Sequence, residues 1–474
     1  MSPFHLPLLR APALIISTLV LPSISVVFLH TRISSPAHPD GVRAPFEDET
    51  QTAVAYLEPC DDPARLRPVH ARLIRFGVLH SRCSPFHWNC VMRAYLRLAL
   101  PLPTLRAFAQ MSRTGVPPDT YTMPIALKAT CHLFAVDLGR QLHCAAVKHG
   151  LQLNEYCESG LISVYAKAGD FPSARKLFDQ NSHRKLGSWN AIISGLAQGG
   201  LAEETIGLFM ELRRCGLVPD DVTMVSVASA CGSIGDFKLA QQVHKCVLQA
   251  RAREVGSTDV LLHNSLVDMY GKCGRTDLAY MVFARMPRRD VSTWTSMIMG
   301  LAMHGQAADA VAFFRQMVWD GCSVRPNHVT FVSVLSACAH GGLVEEGMQF
   351  FRQMTVEYGI EPTFAHYGCV VDMLGRVGRL AEARGVVEGM PMMANSVILG
   401  TLLGSCEKHG NVEVGEWVAE RLVELEPWND GVYVVLSNIY ANKGLWGEVE
   451  RLRRLMRDKN VAKHPGYSLA TPSV

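Results

Sequence analysis

Three tryptophans recur at near-equal intervals along the chain, and each opens the same pattern. Trp88, Trp189 and Trp294 stand 101 and 105 residues apart. Apolar residues follow each one at the third, fourth and seventh places: Val91, Met92 and Tyr95, then Ile192, Ile193 and Leu196, then Met297, Ile298 and Leu301. That spacing gathers four large side chains on one stripe of a helix. After the second stripe come Gly199 and Gly200, a further helical pattern from Ala202 to Cys215 carrying Ile206, Phe209 and Met210, and then Gly216 and Pro219-Asp220. Glycine at a break and proline after a helical run are stop signals. The unit is therefore helix, turn, helix, turn. One such hairpin cannot bury its stripe alone, but stacked hairpins share a continuous core.

The superperiod divides further. Phe331, Val334, Leu335 and Cys338 form another first stripe, and Val344, Met348 and Phe351 follow on its second helix. LLHNSLVDMYGKCG (261–274) and TFAHYGCVVDMLGRVG (363–378) open shorter units, with Asp268 and Asp372 in register. The spacing predicts nine units in three triplets (85–185, 186–290, 291–395), cut at 85–119, 120–154 and 155–185, at 186–220, 221–259 and 260–290, and at 291–327, 328–363 and 364–395. A degenerate unit is expected at 51–84, two divergent ones at 396–430 and 431–466, and a tail at 467–474. The fold class expected is all-α, a solenoid of helix–turn–helix repeats.

Composition supplies the apolar material for such a core, at 48% hydrophobic and 19% charged residues. The net charge of +3 is too mild to announce a nucleic-acid partner. None of the 14 cysteines lies in a Cys-x-x-Cys, and no Cys/His cluster has zinc spacing. Cys231, Cys273, Cys338 and Cys406 sit inside helical patterns and read as small buried hydrophobes in a reducing compartment. No histidine is followed two places later by Glu, and neither a P-loop nor Gly-x-Ser-x-Gly occurs. No catalytic residue, metal site or cofactor is expected.

The first 43 residues have no acidic residue before Asp40 and many serines, with Arg10, Arg32 and Arg43 as their strong bases. They resemble an organellar transit peptide. Residues 11–29 are apolar and uncharged, so a signal anchor competes with that reading. Pro12 and Pro22 weaken a spanning helix, and no stable membrane association is expected.

The phrases SWNAIISGLAQGG (188–200), MVSVASACGSIGDFKLAQQVH (224–244), NSLVDMYGKCG (264–274) and VTFVSVLSACAHGGLVEEG (329–347) resemble the pentatricopeptide repeats of land-plant organelles, of the kind that alternates P, L and S motifs. Residues 396–467 are similar to that family's E1 and E2 motifs, through GTLLGSCEKHGNVEVGE and YVVLSNIYANKGLWGEVERLRRLMRDKNV. The resemblance implies a right-handed superhelix that binds single-stranded organellar RNA. Each repeat faces one nucleotide, read by its fifth and last residues, while second-position side chains sandwich the bases.

Carried onto this chain, the resemblance pairs Asn89 with Asp119, Asn190 with Asp220 and Asn264 with Asp290 as uridine readers, cytidine being the weaker fit. It pairs Thr295 with Asn327 as an adenine reader. Ser159 with Lys185 and Gly368 with Asn395 give no assignment. Pro124, Val225 and Val332 stand at the reading place of the L motifs and cannot hydrogen-bond a base edge. Taken singly, an Asn on a helix is a solvated residue and an Asp after proline is a helix cap. Their recurrence together in three motifs favours base reading. The basic run Arg451, Arg453, Arg454, Arg457 and Lys459 reads as a solvated helix face, with phosphate contact as the competing reading.

E-like motifs imply site recognition for C-to-U RNA editing in a mitochondrion, a plastid being the alternative. The deaminase, carried by another protein of the family, and accessory editing factors would be recruited in trans, with the E-like region as the docking surface. An RNA-binding factor for splicing, stability or translation is the second reading. A protein-binding scaffold of the tetratricopeptide type predicts neither recurring Asn/Asp pairs nor 31-residue units. A secretory or membrane protein rests on residues 11–29 alone.

Overall fold

The computed structural model describes residues 62–79, 84–182, 184–251, 260–319 and 324–459, with residues 57 and 461. The expected transit peptide, the apolar stretch 11–29 and the tail 467–474 lie outside them. The described residues form helices from Pro63–Arg75 to Trp446–Asp458 and contain no strand. They are an all-α solenoid of helical hairpins. Beginning with Pro85–Arg97, first and second helices alternate: Pro85–Arg97 with Pro101–Arg113, Leu186–Gln198 with Ala202–Arg214, Val291–Met303 with Ala307–Trp319, and on to Asp430–Asn442 with Trp446–Asp458.

Packing follows the stripes. Each first helix packs on the first helices before and after it, and each second helix packs on its own first helix and on the next one. The first helices thus form one layer and the second helices another, with a single core between them. Trp189 and Trp294 are among its largest members, each 1% exposed, and Trp88 is likewise fully buried in its own hairpin. Phe178, on the second helix before Trp189, meets that indole edge-on at 4.7 Å, and Phe283 meets Trp294 the same way at 4.9 Å. Arg184 and Arg289 lie over these two phenylalanines at 4.3 and 4.6 Å. This Arg–Phe–Trp stack recurs at Trp189 and at Trp294, so at these two junctions the sequence superperiod is also a packing superperiod.

Turns are set by backbone chemistry. Gly200 bridges the two helices of its hairpin at φ 77° and Gly235 ends Asp221–Ile234 at φ 75°. A side chain rarely adopts that left-handed region. The cysteines divide. Cys231, Cys338 and Cys406 are buried as expected, whereas Cys273 is only half-buried.

Candidate nucleic-acid interface

Each expected reader is the fifth residue of a first helix, at the start of its second turn, and the last residue of its unit stands just before the next first helix. Layer packing brings the two together. The Asn89 amide nitrogen donates to both carboxylate oxygens of Asp119, at 3.1 and 3.3 Å. That of Asn190 donates to Asp220 at 2.8 Å, and that of Asn264 to Asp290 at 3.0 Å.

A third residue completes each pair, and sequence reasoning missed it. The Thr122 hydroxyl reaches the Asn89 carbonyl oxygen at 2.7 Å and Asp119 at 2.8 Å. Thr223 bridges Asn190 and Asp220 in the same way. Thr293 bridges Asn264 and Asp290, at 2.6 and 2.9 Å. All three threonines are fully buried.

The geometry fixes the amide. A carboxylate only accepts, so the asparagine must turn its nitrogen to the aspartate and its oxygen to the threonine hydroxyl. One N–H and one carbonyl lone pair are then left on each amide. Asn89 and Asn264 are only 4% and 7% exposed, so little of either remains in water. For Asp119 and Asp290, partial burial pushes the carboxyl upward, but hydrogen bonds from the threonine, the asparagine and nearby backbone N–H groups outweigh it and hold both below the ordinary value. Both remain ionised at neutral pH.

The helix-cap reading also holds. Asp220 and Asp290 are N-caps, accepting from the backbone N–H groups of Thr223 at 2.9 Å and Thr293 at 2.8 Å. Asp119 accepts from the backbone N–H of Thr122 at 2.7 Å. One carboxylate therefore caps a first helix and orients an amide on the first helix of the preceding hairpin.

Thr295 and Asn327 do not touch. Thr330 lies between them, its hydroxyl 2.8 Å from that of Thr295 and 3.1 Å from the Asn327 oxygen, while Thr295 donates to the Val291 carbonyl. The fourth site is a chain of hydroxyls where the other three hold an oriented amide. Ser159 and Lys185 stay apart, Ser159 bonding the Tyr156 carbonyl and Lys185 pairing with Glu155 at 3.0 Å. Gly368 offers no side chain, and Asn395 caps the next helix through the Ile398 N–H. Pro124, Val225 and Val332 are half-buried and offer no polar side-chain atom.

Three residues before these places the chain exposes large side chains. Phe86, Tyr121 and Tyr156 are 59%, 66% and 65% exposed, and Val222, Leu261 and Val329 continue the row. Stranded apolar surface of this kind, present in six of the nine units and replaced by Gly187, Ser292 and Ala365 in the others, suits the face of a planar ring. Cations share the first-helix layer: Lys272 and Arg376 are held by Asp268 and Asp372 one turn back, at 2.7 and 2.8 Å.

Known proteins bear on this interface. A family model described as "PPR repeat" matches residues 159–180, 187–217, 262–291 and 329–357, and one described as "PPR repeat family" matches 289–340. A third, described as "E motif", matches 409–470. A mitochondrial pentatricopeptide repeat-containing protein of Arabidopsis thaliana is 51% identical over 425 residues, 90% of this chain and 90% of that one. Another from the same plant, named chloroplastic/mitochondrial, is 39% identical over 81% of this chain and 62% of its own length. Among solved structures, the maize pentatricopeptide repeat protein PPR10 in complex with an 18-nt psaJ RNA element gives a TM-score of 0.58 at 17% identity, over 88% of this chain and 65% of that one. Without RNA the same maize protein gives 0.54. These likenesses to solved structures are ones of fold.

Proposed function

This chain belongs to the pentatricopeptide repeat family and carries its E motif, and from that premise we propose that it binds one strand of organellar RNA sequence-specifically, its readers being Asn89/Asp119, Asn190/Asp220, Asn264/Asp290 and Thr295/Asn327. The observation that carries this reading is the threefold Asn–Asp–Thr network. A solvated surface asparagine needs no carboxylate and no buried hydroxyl to aim it. An aimed amide presents one donor beside one acceptor, which matches the N3–H and carbonyl of uracil. Binding then pays little ordering entropy, because the amide is already held. The exposed Phe86 and Leu261 supply apolar faces beside the readers Asn89 and Asn264.

The E motif supports a role in C-to-U editing. In that role the array selects the site, and a deaminase-bearing partner, with accessory factors, joins through the E-like region. The relative covering 90% of its own length is a mitochondrial protein, which supports the mitochondrion as the compartment. Splicing, stability or translation of a bound transcript would use the same array without that partner.

Asn190→Thr with Asp220→Asn tests the reading. It copies the Thr295–Asn327 arrangement and keeps an N-capping side chain at 220. Gel-shift titration against RNAs varied at one position should show preference moving from uridine toward adenine there. Unchanged preference would sink the pairwise reading. Sequencing organellar RNA from a null mutant should reveal lost C-to-U sites, and transcripts altered only in splicing or abundance would favour the second role.

A further inference from the structure

Among the described residues, no helix packs on the side of the hairpin Asp430–Asn442 and Trp446–Asp458 that faces away from the preceding unit. Its two helices flank a groove of about 660 Å³ lined by Tyr433, Val434, Ser437, Leu452, Arg453 and Arg457, among others. Three features set it apart from an ordinary surface. First, the Tyr433 hydroxyl is buried and has no hydrogen-bond partner among the described residues, although the ring is only 3% exposed. Buried polar groups in folded proteins are nearly always paired. Second, Leu335, Val371 and Leu403 fill one buried register position in three preceding first helices, and Ser437 takes that position here. The open end is therefore apolar at its floor and partly polar where the next helix would lie, as suits docking that can also come apart. Third, the rim carries Arg453, Arg454 and Arg457 against the single carboxylate of Glu450, and is net cationic. Arg451 and Arg454 are paired with Glu448 and Glu450, whereas Arg453 and Arg457 make no ion pair among the described residues.

We infer that this groove takes an acidic amphipathic helix from a partner chain, laid on as the next first helix of the array. Charge selects the occupant. A second copy presenting its Pro63–Arg75 helix would set Arg65, Arg67, Arg72 and Arg75 against Arg453 and Arg457, with no acidic residue on that helix to offset them. An acidic helix meets the rim with opposite charge, covers Leu452 and Val434, and brings polar atoms to the Tyr433 hydroxyl. The inference rests on the proposed function in one respect, the expectation of a partner at this end. It adds the place and the chemistry of that contact.

The probe is a labelled helix of about four turns, with leucine along one face and glutamate elsewhere, and a control carrying lysine for every glutamate. Anisotropy with the full chain should show saturable binding of the acidic helix and none of the basic one. Arg453→Glu with Arg457→Glu should weaken the acidic helix about tenfold or more. Tyr433→Phe removes only the orphaned hydroxyl, leaves folding intact by circular dichroism, and should weaken binding about threefold. Equal binding of both helices, or indifference to the double reversal, overturns the inference. So does loss of RNA affinity in the double reversal without helix binding, since the rim would then be a phosphate contact. Readout of base preference at Asn190 is separate, so the RNA reading and the docking inference fail independently.

Discussion

Asp220 caps one helix and aims an amide on another, and the two roles run through the same threonine. Removing Asp220 would therefore confuse a lost cap, worth about 0.5–2 kcal/mol, with a lost reader. Thr223→Val separates them. Valine keeps the shape and the backbone N–H that Asp220 accepts, and deletes only the hydroxyl shared by Asn190 and Asp220. The Asn190 oxygen would lose its buried donor, so stability should fall by about 1–2 kcal/mol in urea unfolding. Uridine preference at that nucleotide should fall in parallel, because the amide is no longer held. A variant that loses stability and keeps full preference would show that the threonine serves the cap alone. The asparagines and aspartates were legible in the sequence because they recur in register. The threonines recur too, as Asp-x-x-Thr at 119–122, 220–223 and 290–293 and Asn-x-x-Thr at 327–330. Read along the chain, that pattern signals only the start of the next helix. Its second partner lies a whole hairpin upstream, where only the packed layer reveals it.

Helix against helix, the junctions differ in ways that periodicity does not show. Where the Val260–Lys272 helix meets Val291–Met303, Gly271 and Gly300 face each other, and a Cβ at Gly300 would stand 3.0 Å from the Gly271 Cα. The obstacle is backbone, so it cannot swing aside. Gly300→Val should cost about 1–3 kcal/mol, while Gly207→Ala, with nothing within 4 Å, should gain roughly 0.5–1 kcal/mol from the helix interior. In the sequence both positions read alike, as a glycine inside a helix. A second junction pairs His143 with Tyr165 at 3.0 Å and His244 with Tyr270 at 2.8 Å. Burial holds both imidazoles below their ordinary value, with His263 and Arg285 adding to the effect at His244. A neutral ring can accept the phenol's proton and a protonated one cannot. As pH falls through about 6.5, the unfolded histidines take up protons that the folded ones refuse, so stability drops until the folded values are passed. Above that window the two histidines add no further pH dependence. Thermal melts at successive pH values should show Tm falling below about pH 6.5, and His143→Gln with His244→Gln should flatten that part of the curve. An equal slope in the double variant would place the titration elsewhere.

At the scale of the whole molecule, the question is which force holds the strand. A net charge of +3 on 474 residues is small for an RNA-binding surface, and several first-layer cations already have carboxylate partners. Lys272 and Arg376 are tied to Asp268 and Asp372, and Lys185 to Glu155. On the described first helices Arg93, Lys128, Lys167 and Lys408 make no ion pair among the described residues, so only a handful of cations stand ready to displace counterions from phosphate. In the proposed reading the groups that meet the strand are instead oriented amides and exposed rings, whose contacts with bases release no salt. For single strands, log K falls with log salt at about 0.7 per phosphate neutralised. With on the order of three phosphates engaged, the slope should be about −2, shallower than that of a protein held by many phosphate contacts. Titrations of a matched RNA from low to physiological salt measure it directly. The same titration on a mismatched RNA should give the same slope with a lower intercept, because mismatch removes base-edge contacts and leaves phosphate contacts alone. A slope steeper than about −5 would mean that phosphate attraction dominates. The Asn–Asp–Thr networks would then tune a strand already bound by charge.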